Sequence, residues 1–457
     1  MRSTARRALL AALTTGAVWV IPGAALAHGV GVRGDLPLPL WAVSYGAVGV
    51  LVITFVTLLR LWPDPRFEGG HATRSLPTGA SRAVDLLEWP VRLLGLALLG
   101  LTLAAALVGS GISSRNPAPF VLYVGVWVGV AFAQPLIGDV WRWLNPFETV
   151  AIGLDRLDLV VEGDDRVARW GHWPAVATML TYLWLELVYT EPADPRAVGG
   201  WLALYVALVV LPGAFLGGAW VRAADSFGVF FSLLAAIAPF HRDEDGRIAL
   251  RAPIVGLADV RPRPGTAALI LVVLGGTTFD GVTRTDLWTD RIRTTNDALL
   301  MLYGTVGLLA TIAVVWGLYR YAVGDAAALT GDDKDELTDD FVHSLVPIAL
   351  GYAVAHYFSL LVFEGQRMLA LLSDPFDTGA DLLGTADWSV DFTAVSTTTI
   401  GVVQVAGIVL GHVAGVVLAH DRAVARFAFG TQKRAQQGML VAMVTYTVGG
   451  LLLLLGA

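Results

Sequence analysis

Two stretches decide the fold: Phe341–Phe363, FVHSLVPIALGYAVAHYFSLLVF, and Val395–Leu418, VSTTTIGVVQVAGIVLGHVAGVVL. Neither contains a Lys, Arg, Asp or Glu, and each is long enough as an α-helix to cross a hydrocarbon core of about 30 Å. Lipid offers the backbone no hydrogen-bond partner, so a run of this kind satisfies its N–H and C=O groups internally, as a helix. Similar runs extend from Trp41 to Leu61, Val91 to Ile112, Phe120 to Ile137, Pro174 to Tyr189 and Trp201 to Val221. Three more cover Ala267 to Phe279, Leu299 to Tyr319 and Leu440 to Leu455. The expected fold is all-α: a polytopic transmembrane helical bundle of about ten spans with no soluble domain.

Composition agrees. Of 457 residues, 55% are hydrophobic and 15% charged, and the mean hydropathy of +0.65 is too high for a soluble globule of this size. The net charge of -7 is spread over loops, without the aromatic-interleaved basic patch that tracks a nucleic-acid backbone, so nucleic acid is not an expected partner. The lipid bilayer is the expected one, with a small molecule or cation as substrate. The absence of cysteine excludes disulfides, thiolate catalysis and iron–sulfur clusters.

At the amino terminus, Arg2, Arg6 and Arg7 precede an apolar run from Ala8 to Val20, and Ala25-Leu26-Ala27 has the small-x-small form of a signal-peptidase site. Residues 1–27 read as a signal peptide and 28–457 as a single transmembrane domain, with His28 outside. A freed amino-terminal histidine is able to chelate copper through its amine and ring. Basic residues concentrate in alternate loops: Arg66, Arg74 and Arg82, then Arg142, Arg156, Arg166 and Arg169, then Arg222 to Arg263, then Arg422 to Arg434. By the positive-inside rule these face the cytoplasm of a plasma-membrane protein with both mature termini outside, although Arg284, Arg291 and Arg293 soften the contrast. The 222–265 connection is expected to hold an inner interfacial segment and, around Asp245-Gly246, a small hairpin.

Titratable groups at membrane depth are costly, so function is sought there first. His343 and His356 share one span; His412 and His420 lie on and just beyond the next. Imidazoles on neighbouring antiparallel helices suit a divalent metal or copper site or a proton relay, and equally suit structural hydrogen bonds between helices. Haem is disfavoured, because His343 and His356 project roughly 140° apart on an ideal helix. The glycines Gly407, Gly411 and Gly415, four residues apart, predict close helix packing beside His412. A possible outer site gathers His28, Glu186, Asp280 and Glu364, able to ring a cation or an activated water, or to snorkel to the interface. Asp139 and Arg142 suggest an ion pair at an inner helix end. No G-x-S-x-G, H-E-x-x-H or phosphate-binding G-x-x-x-x-G-K-[ST] is present, which disfavours serine hydrolases, zincins and ATPases.

Several phrases resemble the bacterial and archaeal multispanning family labelled fenitrothion hydrolase. They are His28-Gly29 with Asp35-Leu36-Pro37, Gly138-Asp139-Val140, Asn145-Pro146, Asp225-Ser226-Phe227-Gly228 and Phe279-Asp280-Gly281. His343-Ser344-Leu345-Val346-Pro347, Ala355-His356-Tyr357-Phe358 and Gly411-His412-Val413-Ala414-Gly415 belong with them. The resemblance covers nearly all of the chain after residue 27. It implies a multispanning fold and metal-assisted cleavage of an organophosphate triester at the membrane, and it assigns no catalytic residues.

Overall fold

The computed structural model describes residues 39–68, 72–157, 165–292, 296–428 and 430–455. The expected signal peptide and His28 lie outside the described residues. Nine described helices are long and apolar enough to cross a membrane. They are α1 (Leu40–Leu61), α2 (Thr78–Val108), α3 (Pro117–Ile137), α6 (Pro195–Leu216), α9 (Thr266–Thr283), α11 (Asp297–Thr330), α12 (Lys334–Ser373), α13 (Thr397–Arg426) and α14 (Gln432–Leu453). The shorter helices include α4 (Pro146–Arg156), α5 (Trp173–Leu187), α7 (Gly218–Ala224), α8 (Ser226–Ala235) and α10 (Asp286–Ile292). The expected span near Pro174–Tyr189 is α5, whose 15 residues make about 22 Å of helix, short of a full hydrocarbon core. Among the described residues nine spans are full-length, and α5 is a short tenth apolar helix beside them.

Helix starts follow local chemistry. Asn116, Asn145 and Asp194 each cap a helix whose first residue is proline, accepting from N–H groups of the first turn, while proline brings no N–H to leave unpaired. Between α12 and α13 the glycine stripe is occupied as its spacing implies. A Cβ at Gly411 would stand 2.6 Å from the Pro347 carbonyl, and one at Gly415 2.7 Å from that of Ser344. Backbone thus meets backbone along this seam.

Strands β2 (Phe240–Arg242) and β3 (Ile248–Leu250) form an antiparallel hairpin, and β1 (Arg74–Ser75) pairs with β3 on its other edge. This small sheet marks one end of the bundle, called here the hairpin end. In the same 222–265 connection α8 is packed inside the bundle, where Phe227, Phe230, Phe231 and Leu234 are buried. Val43 and Ala47 of α1 cluster with Leu451 of α14, so the two described chain ends lie on the same side, opposite the hairpin.

Two buried carboxylates hold the hairpin half together. Asp225, between α7 and α8, accepts from Trp141 Nε1 (3.1 Å), Asn145 Nδ2 (2.7 Å) and the Tyr205 hydroxyl (2.7 Å). Asp421 of α13 accepts from Trp62 Nε1 and from the backbone N–H groups of Arg66, Phe67 and Glu68, tying down the turn after α1. Buried carboxylates surrounded by donors in this way anchor structure.

Candidate functional site

The four histidines fall into separate settings. At the hairpin end, His343 turns Nδ1 to the Asp340 carbonyl (3.0 Å) and also meets the Leu418 carbonyl. His420 spans Gln436 Oε1 (2.8 Å) and the Trp62 carbonyl (3.0 Å). His420 has both ring nitrogens engaged, and both rings join neighbouring elements. His412, near the middle of α13, donates from Nδ1 to the Ile408 carbonyl one turn back (2.8 Å); its Nε2 is buried with no hydrogen-bond partner. A carbonyl only accepts, so Nδ1 carries the proton and Nε2 presents a bare lone pair. The ring of Tyr446 lies 6.0 Å away, and its hydroxyl meets that of Thr278 at 3.0 Å.

His356, on α12, is different. Its Nε2 lies 2.5 Å from Oδ2 of Asp280 on α9, and the side chains are 1% and 13% exposed. Arg284, one turn beyond Asp280, approaches Asp280 Oδ1 at 3.5 Å and His356 Nε2 at 2.9 Å; it is 53% exposed and covers the pair. Two lone pairs at 2.5 Å would repel, so a proton lies between Oδ2 and Nε2. With that proton in place Nε2 has no further lone pair for Arg284, whose contribution is positive charge. The other ring nitrogen, Nδ1, is buried without a partner.

Aromatic side chains enclose the pair. Tyr352 stacks on the imidazole (5.6 Å, 14°) and donates to the Thr277 carbonyl at 2.5 Å; Tyr357 meets the ring edge-on at 4.7 Å. Beyond Tyr357 lies Glu186 of α5, whose Oε2 is buried without a hydrogen bond of good geometry, although the hydroxyls of Tyr182 and Tyr357 are directed at the carboxyl. Asp280 is near enough for the two acids to repel. Trp127 packs on Tyr182 at 5.0 Å and Tyr123 on the same ring at 6.2 Å. Both come from α3, where Val121–Val130 is wound as a π-helix, the wider winding often found where a helix serves a site.

The structure therefore brings Glu186, Asp280 and His356 together. Glu364 stands apart: eight residues beyond His356, about 12 Å along the helix, it pairs with Arg367 at 3.4 Å. His412 lies on the neighbouring helix within its own polar group of Thr278 and Tyr446, and His343 and His420 serve the hairpin end. Among the described residues no three His, Asp or Glu side chains are placed to hold a metal ion together. Sequence reasoning missed Arg284 as a partner, having taken it for a loop charge, and missed the tyrosines. Their relation to Glu186 depends on which helices meet, and only the Phe279-Asp280-Gly281 and Ala355-His356-Tyr357 phrases hinted at it.

Comparison with family models, with curated proteins and with solved structures returns no match, so the arrangement is read from its own chemistry.

Proposed function

We propose that this multispanning protein carries protons across its membrane, and that the Asp280–His356 pair is the group that takes up and releases them. The observation carrying this reading is the 2.5 Å contact between a carboxylate and an imidazole in the apolar interior, an arrangement that requires one proton and leaves open which atom holds it. Ionisable groups inside a membrane mark ion and proton paths. Imidazole is suited to the task because its ordinary pKa lies near neutrality.

The parts divide the work. Arg284, half-exposed, sets a positive charge beside the pair. The proton passes between Oδ2 and Nε2. Glu186, with a buried unpaired oxygen and two tyrosine hydroxyls at its carboxyl, is the second acceptor within the same polar group. The second reading, metal-assisted hydrolysis of an organophosphate triester through metal-activated water, would call on these same carboxylates.

The test is proton flux in proteoliposomes carrying a trapped pH dye, with wild type beside Asp280→Asn and Glu186→Gln, and a triester assay on the same preparations. Positioned proton-transfer groups contribute roughly 10²- to 10⁴-fold, so Asp280→Asn is expected to lower flux at least about 100-fold. Wild-type flux in that variant would overturn the relay, and triester cleavage without flux would favour the hydrolase.

A further inference from the structure

A cavity of about 380 Å³ opens at the hairpin end, within the size range of small-molecule sites and built from residues other than the Asp280 group. Four elements form it: the turn after α3, Ser232 and Ala235 of α8, the β2–β3 hairpin and the segment that follows β3. Arg142, Arg242 and Arg251 line it, opposed by the carboxylates of Asp139 and Asp259. Ile137, Val140 and Trp143 supply an apolar wall.

The guanidinium of Arg251 is fixed in place. It is 10% exposed, donates from Nε to the Ala238 carbonyl (3.3 Å) and from Nη2 to the Ala236 carbonyl (3.1 Å), and its Nη1 stands 4.0 Å from Asp259. It lies flat against Gly256, where any Cβ would run into it, beyond a turn in which Ile254 takes the left-handed value φ 65°. Arg242 is likewise held, by Asp85 at 2.6 Å and the Gly246 carbonyl at 2.7 Å. Closing the end of α8 accounts for two of the Arg251 bonds. It does not account for a third arginine, Arg142, which lines the same cavity beyond the turn at Gly138.

We infer that this cavity binds an organic phosphate, its oxyanion seated among Arg142, Arg242 and Arg251 and its carbon portion against Ile137, Val140 and Trp143. Guanidinium groups match phosphate oxygens through paired, charge-assisted hydrogen bonds, and a pre-positioned arginine loses little freedom in making them. A soluble phosphomonoester and a phospholipid headgroup share this chemistry.

The experiment uses the full chain, with glycerol 3-phosphate titrated by calorimetry in neutral detergent and native mass spectrometry of protein from nanodiscs of phosphatidylglycerol or phosphatidylcholine. Losing one charge-assisted hydrogen bond costs about tenfold or more, so Arg142→Ala, an exposed position, is expected to weaken the bound anion by at least that factor. Asp139→Asn removes an opposing charge and is expected to tighten binding, a gain that a damaged fold would not produce. Saturable glycerol 3-phosphate binding with these two shifts assigns a soluble ligand; selective retention of phosphatidylglycerol with the same shifts assigns a lipid. Binding of neither anion, or affinity unchanged in both variants, overturns the inference.

Discussion

His172 precedes α5 at the hairpin end, and its Nδ1 lies 2.9 Å from the hydroxyl of Thr266. That hydroxyl already donates to the Arg263 carbonyl, so the ring donates from Nδ1. Burial, reinforced by the charge of Arg263, pushes its pKa down to about 4 from an ordinary 6.5. The unfolded chain therefore binds a proton at higher pH than the folded one does. The stabilising effect of a neutral His172 is complete above about pH 6.5 and is lost as pH falls toward 4. Comparing apparent melting temperatures of wild type and His172→Gln between pH 7.5 and 4.5, we expect the wild type to lose more on acidification; parallel curves would contradict this assignment. Residues such as this show what sequence conveys at its finest scale. The intramembrane positions of His356 and His412 were legible as costly groups at depth, because cost depends only on residue type and location. That His412 is bonded within its own helix, whereas His356 reaches Asp280, was not legible, because partners across helices are set by rotation and tilt.

The seam between α12 and α13 is the clearest element-level feature. Its glycine repeat was readable because the spacing of four residues is itself the packing rule, and Gly351 supplies the matching surface on α12, where a Cβ would strike the Gly407 carbonyl. Gly351→Ala should therefore overpack the seam and cost about 1–3 kcal/mol, whereas Gly365→Ala, whose nearest neighbour would be a Leu361 methyl at 4.0 Å, should be neutral. Unfolding in mild detergent checks both; equal stability of the two variants would show that the helices do not approach as closely as described. Other elements were harder to read. Nothing in VLYVGVWVGV, a run of valines and glycines around Tyr123 and Trp127, announces a π-helix. The shortness of α5 was hidden as well: its apolar composition is that of a span, and only Val188 leaving the helix shows where it stops.

Over the whole molecule, polar groups are unevenly distributed. The Asp280–His356 pair and Glu186 lie toward the end opposite the hairpin, and Thr278, Tyr446 and His412 continue the polar side chains inward. Beyond Tyr446 the interior is apolar: a cavity of about 50 Å³, lined chiefly by Leu271, Leu274, Ile348, Met439 and Met443, lies between Tyr446 and the side chains of Ser344 and Tyr319 on its wall. Water needs several polar partners to occupy such a space, so a proton path through this region is closed until the cavity is wetted. The all-helical, membrane-spanning architecture was legible in the sequence because apolar run length alone specifies it. The segregation of charge within the bundle became visible only when the helices were assembled. The central claim is that Asp280 and His356 act as one proton-binding unit, and a double-mutant cycle in the proteoliposome flux assay tests it most directly. If they form a unit, Asp280→Asn, His356→Gln and the double variant will show the same loss, with no further decrease on combining the changes. Independent, multiplying losses, or wild-type flux in either single variant, would contradict it.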